Sequence, residues 1–491
     1  MKRITFWSRR WQGRFYTLFL FLVVPLLPWY WGGNRPEPLL YAEVAAIAVL
    51  GYFFLFALWS KERTLPHLFN VLVPVAVVAP WVYLISLPVA VIEALPGRQV
   101  YVDLLVQTGA VTDQSWLPVS LNRFATESSY LAFLVPVAVF VAALNVERQV
   151  LTRLILVVLG VGAAQAMLGL LQYGGGPESL FRFGNPYFTD SAVGTFANRN
   201  HLAGFLEMCL AMALAVFASL LVWGIPGHRF KGRHRSFDVH FNAALLMALL
   251  IILLLSGLFV TRSRTGVALA VTGVVLAAVV FARRLDRKKL MTRGAAIVGV
   301  TVMLSAVIGV APVLERFVAA DHLGDVRWQL YPGIWAALVQ FFPLGSGPGT
   351  FAYVFKQFQP DGLDQLVNHA HNDYLEWVVE TGLLAVVMTA GFMFSYVRQG
   401  LSLRGSDRPF TFLQIGAGLG MLLMLLHGLV DFNFRIPANA VLFALLSGIF
   451  FYPVTGVAEA PRPRRRPSVR RRSPPPPSRA GKAPAPNPFA E

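Results

Sequence analysis

Long apolar runs recur along most of this 491-residue chain and limit the folds it can adopt. Many contain about twenty residues with few charges, the length at which an α-helix crosses the hydrocarbon core of a bilayer. Because 56% of all residues are hydrophobic, a soluble domain could not bury them. The sequence therefore predicts an all-α polytopic membrane protein. Its expected transmembrane helices, about twelve in all, are residues 15–31, 38–59, 68–95, 128–144, 150–173, 200–223, 240–260, 266–282, 294–312, 373–396, 411–430 and 436–453.

Lysine and arginine fall in alternate loops between these runs. About three quarters of the 42 basic residues lie there, and the positive-inside rule assigns such segments, with both termini, to the cytoplasm. The tail at 454–491 is basic and rich in proline, so it cannot bury a core and is predicted to be disordered. It is expected to hold the topology by binding anionic lipids, in preference to nucleic acid or a partner protein. The cytoplasmic segments are residues 1–14, 60–67, 145–153, 224–239, 283–293, 398–408 and this tail.

The same alternation assigns three longer segments to the outer face of the membrane: 96–127, 174–200 and 313–372. The last of these precedes the tenth predicted helix, with earlier helices within 15–312 and later ones within 373–453. Its apolar residues recur at helical spacing and predict short amphipathic helices. The glycine-rich stretch at 343–350 interrupts them. Its glycines either let the backbone approach a ligand or form a plain turn at the interface.

An acidic helix face begins where this loop meets the tenth predicted helix. Asp373, Glu376 and Glu380 are spaced i, i+3, i+7, so they share one face. Carboxylates in a spanning region are costly, and these are expected to face a polar cavity or to pair with arginine. Asn372 and Asp373 are both suited to cap the start of the helix.

His371 lies at the mouth of that acidic face. An imidazole titrates near neutral pH, which suits a general base, and a neighbouring carboxylate would orient it and raise its basicity. The alternative is that His371 only caps the helix. Further along, His427 and Asp431 are four residues apart at the end of a span, with Arg435 just beyond. This pair is expected to be structural or to support the site rather than to act in catalysis.

Two other outer segments supply cations. The turn 261–266 between two spans holds Arg262 and Arg264 at the membrane surface, and Arg199 lies where another span begins, followed by Asn200. A planar guanidinium binds diphosphate in a bidentate manner and stays charged, so converging arginines would hold a pyrophosphate group. Each arginine could instead extend to lipid headgroups.

The motifs that nucleotide-driven and metal-dependent enzymes use are missing from the sequence. It contains no P-loop, no glycine-rich nucleotide fingerprint, no zinc-protease histidine pair and no paired aspartates for a metal-bound sugar nucleotide. We therefore expect no cofactor and no metal. A donor used at the outer face must arrive already activated, as a lipid diphosphate does.

At these residues the chain resembles the O-antigen ligase and polymerase superfamily of bacterial inner-membrane glycan enzymes. The resemblance spans roughly the second half of the chain with the segments in the same order, whereas the first half is similar only in hydropathy. The matching segments are GTFANRNHLAGF at 194–205, TRSRTG at 261–266, RWQL at 327–330, PLGSGPGTF at 343–351, HNDYLEWVVETG at 371–382 and HGLVDFNFRIPANA at 427–440.

The resemblance implies a metal-independent transfer of glycan from undecaprenyl diphosphate, with inversion, on the periplasmic face of a bacterial inner membrane. His371 would be the base that deprotonates the acceptor hydroxyl, and Arg199, Arg264 and Arg327 would grip the diphosphate. A second histidine, His369, departs from the family's single-histidine pattern, so either imidazole is a candidate for the base. In a ligase the acceptor is a sugar of the lipid A core. The expected partners are therefore the lipid-linked glycan, that acceptor and membrane lipids, with no nucleic acid.

Other functions remain open at this point. A polymerase of the same superfamily would use the same donor and the same residues. A polysaccharide or lipid transporter would also have many spans, but it is favoured by inverted repeats or by helices broken at the midplane. The sequence has no convincing repeat, and its unusual polar groups cluster on the outer face. A non-catalytic protein of envelope assembly is a further alternative.

Overall fold

α-Helices dominate the chain in the computed structural model. It describes residues 2–60, 65–66, 68–185, 187–223, 233–282, 284, 326–363, 366–405 and 408–453. The longer helices are Lys2–Leu26, Pro36–Ser60, Phe69–Val78, Gln99–Gln107, Arg123–Leu144, Arg148–Gly174, Arg199–Trp223, Arg233–Val260, Arg264–Ala282, Val326–Phe341, Asp373–Thr381, Leu383–Ser402, Pro409–His427 and Pro437–Phe450. Short helices and turns are Leu27–Trp29, Trp31–Gly33, Ala79–Leu84, Val89–Glu93, Leu180–Arg182, Phe351–Val354, Phe355–Phe358 and Asn433–Arg435.

Within the described residues, 8 helices are long and apolar enough to cross a membrane, which confirms an all-α polytopic membrane protein. Two shorter apolar helices, Phe69–Leu84 and Pro437–Phe450, accompany them. The predicted helix at 294–312 and the tail at 454–491 lie outside the described residues. The long apolar helices are Pro36–Phe56, Arg123–Leu144, Arg148–Gly174, Arg199–Val222, Asn242–Val260, Arg264–Ala282, Leu383–Ser402 and Pro409–His427.

The helices Arg199–Trp223 and Pro409–His427 form the centre of the bundle. They pack against each other, and the first also packs against Arg148–Gly174, Arg233–Val260 and Arg264–Ala282. Small side chains make this contact close, because Ala211, Ala215 and Ala218 line it in place of bulkier residues. These two helices therefore hold their outer ends, with the residues that follow or precede them, in a fixed relation.

The predicted helix at 68–95 divides into several elements. It begins with the apolar helix Phe69–Leu84 and ends with the short helix Val89–Glu93. Between them the strand Ser86–Pro88 pairs antiparallel with Trp116–Pro118, a small departure from the all-α prediction. Proline explains the division, because Pro88 has no N–H to continue a helix and disfavours helical backbone in the residue before it.

The predicted helix at 373–396 breaks at Gly382. Its left-handed backbone (φ +54°) ends the helix Asp373–Thr381, and the candidate span begins at Leu383. A Cβ at Gly382 would lie 2.0 Å from the carbonyl oxygen of Pro343, so only glycine fits this approach. The three acidic residues therefore lie on a separate short helix outside the candidate span.

The described part of the segment 313–372 contains short helices, and residues 313–325 lie outside the described ranges. The helix Val326–Phe341 buries one face against Phe351, Phe355 and Val379. Val379 belongs to the acidic helix Asp373–Thr381, so this apolar cluster also holds the acidic helix in place.

Candidate functional site

His371, Asp431 and Asn200 form a hydrogen-bonded series that joins three distant segments. The His371 Nδ1 atom lies 3.2 Å from Asp431 Oδ1, and the Asn200 Nδ2 donates to Asp431 Oδ2 at 2.6 Å. The His371 side chain is 32% exposed, so its other nitrogen can meet a substrate. The sequence analysis expected a carboxylate that orients His371. In the structure this carboxylate belongs to Asp431, 60 residues away along the chain.

His371 does not cap the acidic helix. The Asn372 side chain does so, because it accepts hydrogen bonds from the backbone N–H groups of Tyr374 (3.1 Å) and Leu375 (3.0 Å). His371 itself has left-handed backbone with φ +49°, which is unusual for a residue other than glycine. Such strain persists where the surroundings impose it, and it often occurs at functional positions.

His369 forms a second histidine–carboxylate pair beside the first. Its Nδ1 lies 3.0 Å from Glu376 Oε1, and its side chain is also 32% exposed. The two pairs differ in the carboxylate, because Glu376 also pairs with the Arg435 guanidinium, with 3.0 Å between Nε and Oε1. Part of the negative charge at Glu376 is therefore balanced by Arg435.

One aromatic ring contacts three histidines at this site. Phe432 stacks on His369, with ring centroids 4.1 Å apart, and meets His371 and His201 edge to face at 5.1 Å and 4.8 Å. Its backbone N–H also donates to Asp431 Oδ1 at 3.0 Å. The sequence analysis did not identify Phe432, because an aromatic residue after an acid has no distinguishing pattern.

The acidic face is buried and paired with arginine, one of the two environments expected for it. Asp373, Glu376 and Glu380 are each at most 2% exposed. Arg435 forms ion pairs with Glu376 and Glu380. Backbone N–H groups complete the pairing, because Ala370 donates to Glu376 and Phe351 donates to Glu380.

One guanidinium cannot neutralise three carboxylates. Burial raises the pKa of Asp373 well above its usual value, and the charge of Glu376 raises it further. Burial would also raise the pKa of Glu376, but the charges of Arg435 and His369 outweigh it and hold that pKa below its usual value. Burial raises the pKa of Glu380 as well, with Arg435 opposing it, so Asp373 and Glu380 are the carboxyl groups of this face whose protonated forms are favoured.

The sequence analysis grouped His427 and Asp431 by their four-residue spacing, and Asp431 pairs with His371. His427 instead pairs with Glu207, with 3.0 Å between Nδ1 and Oε1, and both side chains are 0% exposed. The helix Pro409–His427 ends at His427, so the four-residue spacing no longer puts Asp431 on the same helical face. Glu207 lies on the face of its helix that also holds Asn200, and this face meets the segment 427–433.

Two of the predicted donor-binding arginines converge on one carboxylate that the sequence analysis missed. Arg262 Nη1 lies 3.3 Å from Asp190 Oδ2, and Arg199 Nη1 lies 3.7 Å from Asp190 Oδ1. Arg262 has left-handed backbone with φ +54°. Arg264 begins the helix Arg264–Ala282, which packs along Arg199–Trp223. Arg327 lies near the start of Val326–Phe341, but its side chain lies outside the part of the chain that the structure describes.

Two other arginines, Arg182 and Arg98, have structural roles. The buried Arg182 donates to backbone carbonyl groups around the segment that presents Asp190. Arg98 is fully buried and donates to the carbonyl groups of Pro96, Val119 and Gly345. The carbonyl groups that Arg182 binds belong to Gln172, Gly176, Phe188, Thr189 and Ser191.

The glycine-rich stretch at 343–350 approaches the protein itself. A Cβ at Gly345 would lie 2.3 Å from the backbone oxygen of Glu380, and its φ is +84°. At Gly345 this stretch therefore packs closely on the end of the acidic helix. No group of three or more histidine, cysteine or acidic residues suited to a metal ion occurs among the residues searched, which are those described above.

Comparison with known proteins identifies one family. Residues 249–390 match the family model described as O-Antigen ligase, and this supports the resemblance to the O-antigen ligase and polymerase superfamily. The match includes Arg262, Arg264, His369, His371 and the acidic helix. It does not extend to Arg199 or Asp431, which the structure joins to the matched part by contacts. No curated protein matches the chain.

Proposed function

We propose that this chain, which shares a domain-length similarity with O-antigen ligases, transfers a glycan from undecaprenyl diphosphate to an acceptor hydroxyl group. The reaction would take place on the periplasmic face of a bacterial inner membrane. The observation that supports this most directly is the series of hydrogen bonds from Asn200 through Asp431 to His371. It ends on a partly exposed imidazole whose orientation is fixed at one nitrogen.

His371 acts as the general base in this proposal. With a proton on Nδ1 donated to Asp431, Nε2 is left as the acceptor for the proton of the attacking hydroxyl group. The hydroxyl oxygen attacks the anomeric carbon, and the bond from that carbon to the diphosphate oxygen breaks. Asp431 stabilises the imidazolium that forms, as carboxylates do when they orient catalytic histidines. Attack from the side opposite the diphosphate inverts the anomeric configuration.

The arginines bind the leaving group in this proposal. Arg199 and Arg262 already meet at one carboxylate, so both guanidinium groups can reach a single anion of similar size. Arg264 and Arg327 are the other two groups assigned to the diphosphate. Fixed positive charge that faces developing negative charge lowers the barrier without reorganisation during the reaction. Undecaprenyl diphosphate leaves as the anion that these side chains hold.

We favour the lipid A core as the acceptor and keep the polymerase as the second candidate. Both reactions use the same donor, base and arginines, so the choice depends on the acceptor and not on these contacts. A transporter is less favoured, because the ion pairs of the site, from His369 to Arg435, belong to loops and short helices outside the candidate spans.

The test is the surface-glycan profile of a deletion strain that is complemented with wild-type protein, His371→Ala or His369→Ala. For the ligase, we expect deletion to remove long glycan from the lipid A core and to accumulate the lipid-linked polymer, with no rescue by His371→Ala. Shortening to single repeats would identify the polymerase. An unchanged profile, or full rescue by His371→Ala together with loss in His369→Ala, would contradict the role of His371.

A further inference from the structure

Asp190 is positioned where the proposed donor site would bind its anion. Its carboxylate contacts Arg262 through one oxygen (3.3 Å) and Arg199 through the other (3.7 Å). The Asp190 side chain is 52% exposed, whereas those of Arg199 and Arg262 are 17% and 23% exposed. The acid thus covers two more buried guanidinium groups from the solvent side. A diphosphate that approaches from solvent would meet Asp190 first.

The loop that presents Asp190 is rigidly built. Arg182, which is 5% exposed, donates to the carbonyl groups of Phe188, Thr189 and Ser191, directly around Asp190. Phe188 has left-handed backbone (φ +55°), and its ring lies 5.0 Å below the guanidinium carbon of Arg199. These contacts fix the backbone of Asp190 and do not depend on its carboxylate.

The contacts of Asp190 with the arginines are weak by comparison. Both ion-pair distances exceed the roughly 2.7–2.9 Å of a charge-assisted hydrogen bond, and half-exposed ion pairs contribute little. Arg262 also donates to the Asp190 backbone oxygen at 3.2 Å, a contact that remains if the carboxylate moves away. The carboxylate can therefore leave while the loop and the guanidinium groups stay in place.

Resting on the proposed function, we infer that Asp190 is a displaceable counter-anion of the donor site, which competes with the diphosphate for Arg199 and Arg262. A single carboxylate balances part of the positive charge of the two arginines. An incoming anion must outcompete it, and a diphosphate with its greater charge does so better than a monophosphate. Asp190 then determines selectivity for lipid diphosphates as well as affinity.

Removing the carboxylate tests this directly. The full-length protein in detergent is titrated with inorganic pyrophosphate and, separately, with inorganic phosphate, and heats of binding are measured. For Asp190→Asn we expect pyrophosphate affinity to rise by about 3- to 10-fold, the size of two weak ion pairs. Phosphate affinity is expected to rise more, so that the ratio between the two anions falls. Asp190→Ser serves as a second variant in case the amide disturbs the loop.

The matched control is Glu178→Gln, which removes one charge from an exposed side chain of the same outer segment. We expect it to change pyrophosphate affinity by less than about twofold, because an exposed charge that forms no ion pair with the arginines is largely screened by salt. Arg199→Gln and Arg262→Gln test the site itself and are expected to weaken binding.

The outcomes distinguish a failure of this inference from a failure of the proposed function on which it rests. If both arginine variants weaken pyrophosphate binding but the Asp190 variants bind with unchanged or lower affinity, the inference is wrong and the donor site stands. If Glu178→Gln raises affinity as much as Asp190→Asn, the effect is a general one of net charge and the inference is again wrong. If wild-type protein binds no pyrophosphate, or the arginine variants bind as wild type does, both the donor site and the inference are overturned.

Discussion

Histidine–carboxylate pairs occur in this molecule both at partly exposed and at fully buried positions. His371 and Asp431 lie at the open end of the bundle with the imidazole one-third exposed, whereas His427 and Glu207 lie fully buried between helices. Their Nδ1–oxygen distances, 3.2 Å and 3.0 Å, are nearly the same. Hydrogen-bond geometry therefore does not distinguish a candidate catalytic pair from a packing pair. Access does, because only an imidazole with a reachable second nitrogen can exchange a proton with a substrate.

The sharpest test of this comparison is to convert each carboxylate to its amide. We expect Asp431→Asn to lower the transfer rate by about 10²–10⁴-fold, because an amide no longer orients His371 or stabilises its charged form. Glu207→Gln is the matched control, and we expect it to retain most of the activity, since the amide still bonds to His427. The measurement is glycan transfer from purified lipid-linked donor. Equal losses in both variants would mean that the two pairs do not differ in the proposed way.

The buried pair should respond instead in stability. We expect Glu207→Ala to lower the free energy of unfolding by about 3–5 kcal/mol, because it leaves a cavity and removes the carboxylate that His427 contacts. Replacing both partners, as Glu207→Leu with His427→Leu, should recover much of that loss. Thermal unfolding in detergent measures both. Full stability of Glu207→Ala would show that this pair does not support the helix packing.

The acidic helix, near the partly exposed pair of His371 and Asp431, makes a pH-dependent contribution to the stability of the fold. Because the folded pKa of Asp373 is raised, the folded state keeps a proton that the unfolded chain releases above roughly pH 4. Stability should therefore fall as pH rises from that value toward the folded pKa, by up to about 1.4 kcal/mol per pH unit. We expect Asp373→Asn to flatten this decline in melting curves from pH 5 to pH 8. Asp361→Asn, an exposed acid of the same outer region, should leave the decline unchanged.

The smallest effect is expected at the aromatic ring between the histidines. Phe432→Leu removes ring contacts with His369 and His371, and we expect the transfer rate to fall between about two- and tenfold with a shifted pH profile. Phe434→Leu is the control, because that ring contacts Trp377 and Phe443 instead. A pH profile that shifts equally in both variants would argue against a positioning role for Phe432.

Local patterns predicted much of this molecule. Run length predicted most of the long apolar helices in the described residues, and three-residue spacing predicted the shared face of Asp373 and Glu376, because both follow from helix geometry. The residue type of Asn372 gave the cap. The predicted helix at 373–396 failed at Gly382, where the backbone leaves the helix, because periodicity no longer describes which side chains meet there.

Contacts between residues far apart in the chain also could not be predicted from the sequence. Asp190 lies 72 residues from Arg262, and no spacing rule connects an exposed loop acid to a turn between two helices. The same is true of the 60 residues between His371 and Asp431. The segments that contain His371 and Asp431 were each recognised in the sequence, but only packing of the central helices brings them together. The sequence thus supplied the chemical groups, and tertiary structure supplied their pairing.

The Arg182 side chain donates five hydrogen bonds to backbone carbonyl groups, and these limit which residues this position can accept. Its three guanidinium nitrogens each bind at least one carbonyl group, whereas a lysine has a single nitrogen with three donors on a differently shaped head. Even the mildest exchange at this position therefore leaves buried carbonyl groups without a donor. Substitution in the segment 174–200 is therefore expected to be tolerated at exposed positions such as Glu178 but not at Arg182, whose bonds shape the loop that presents Asp190.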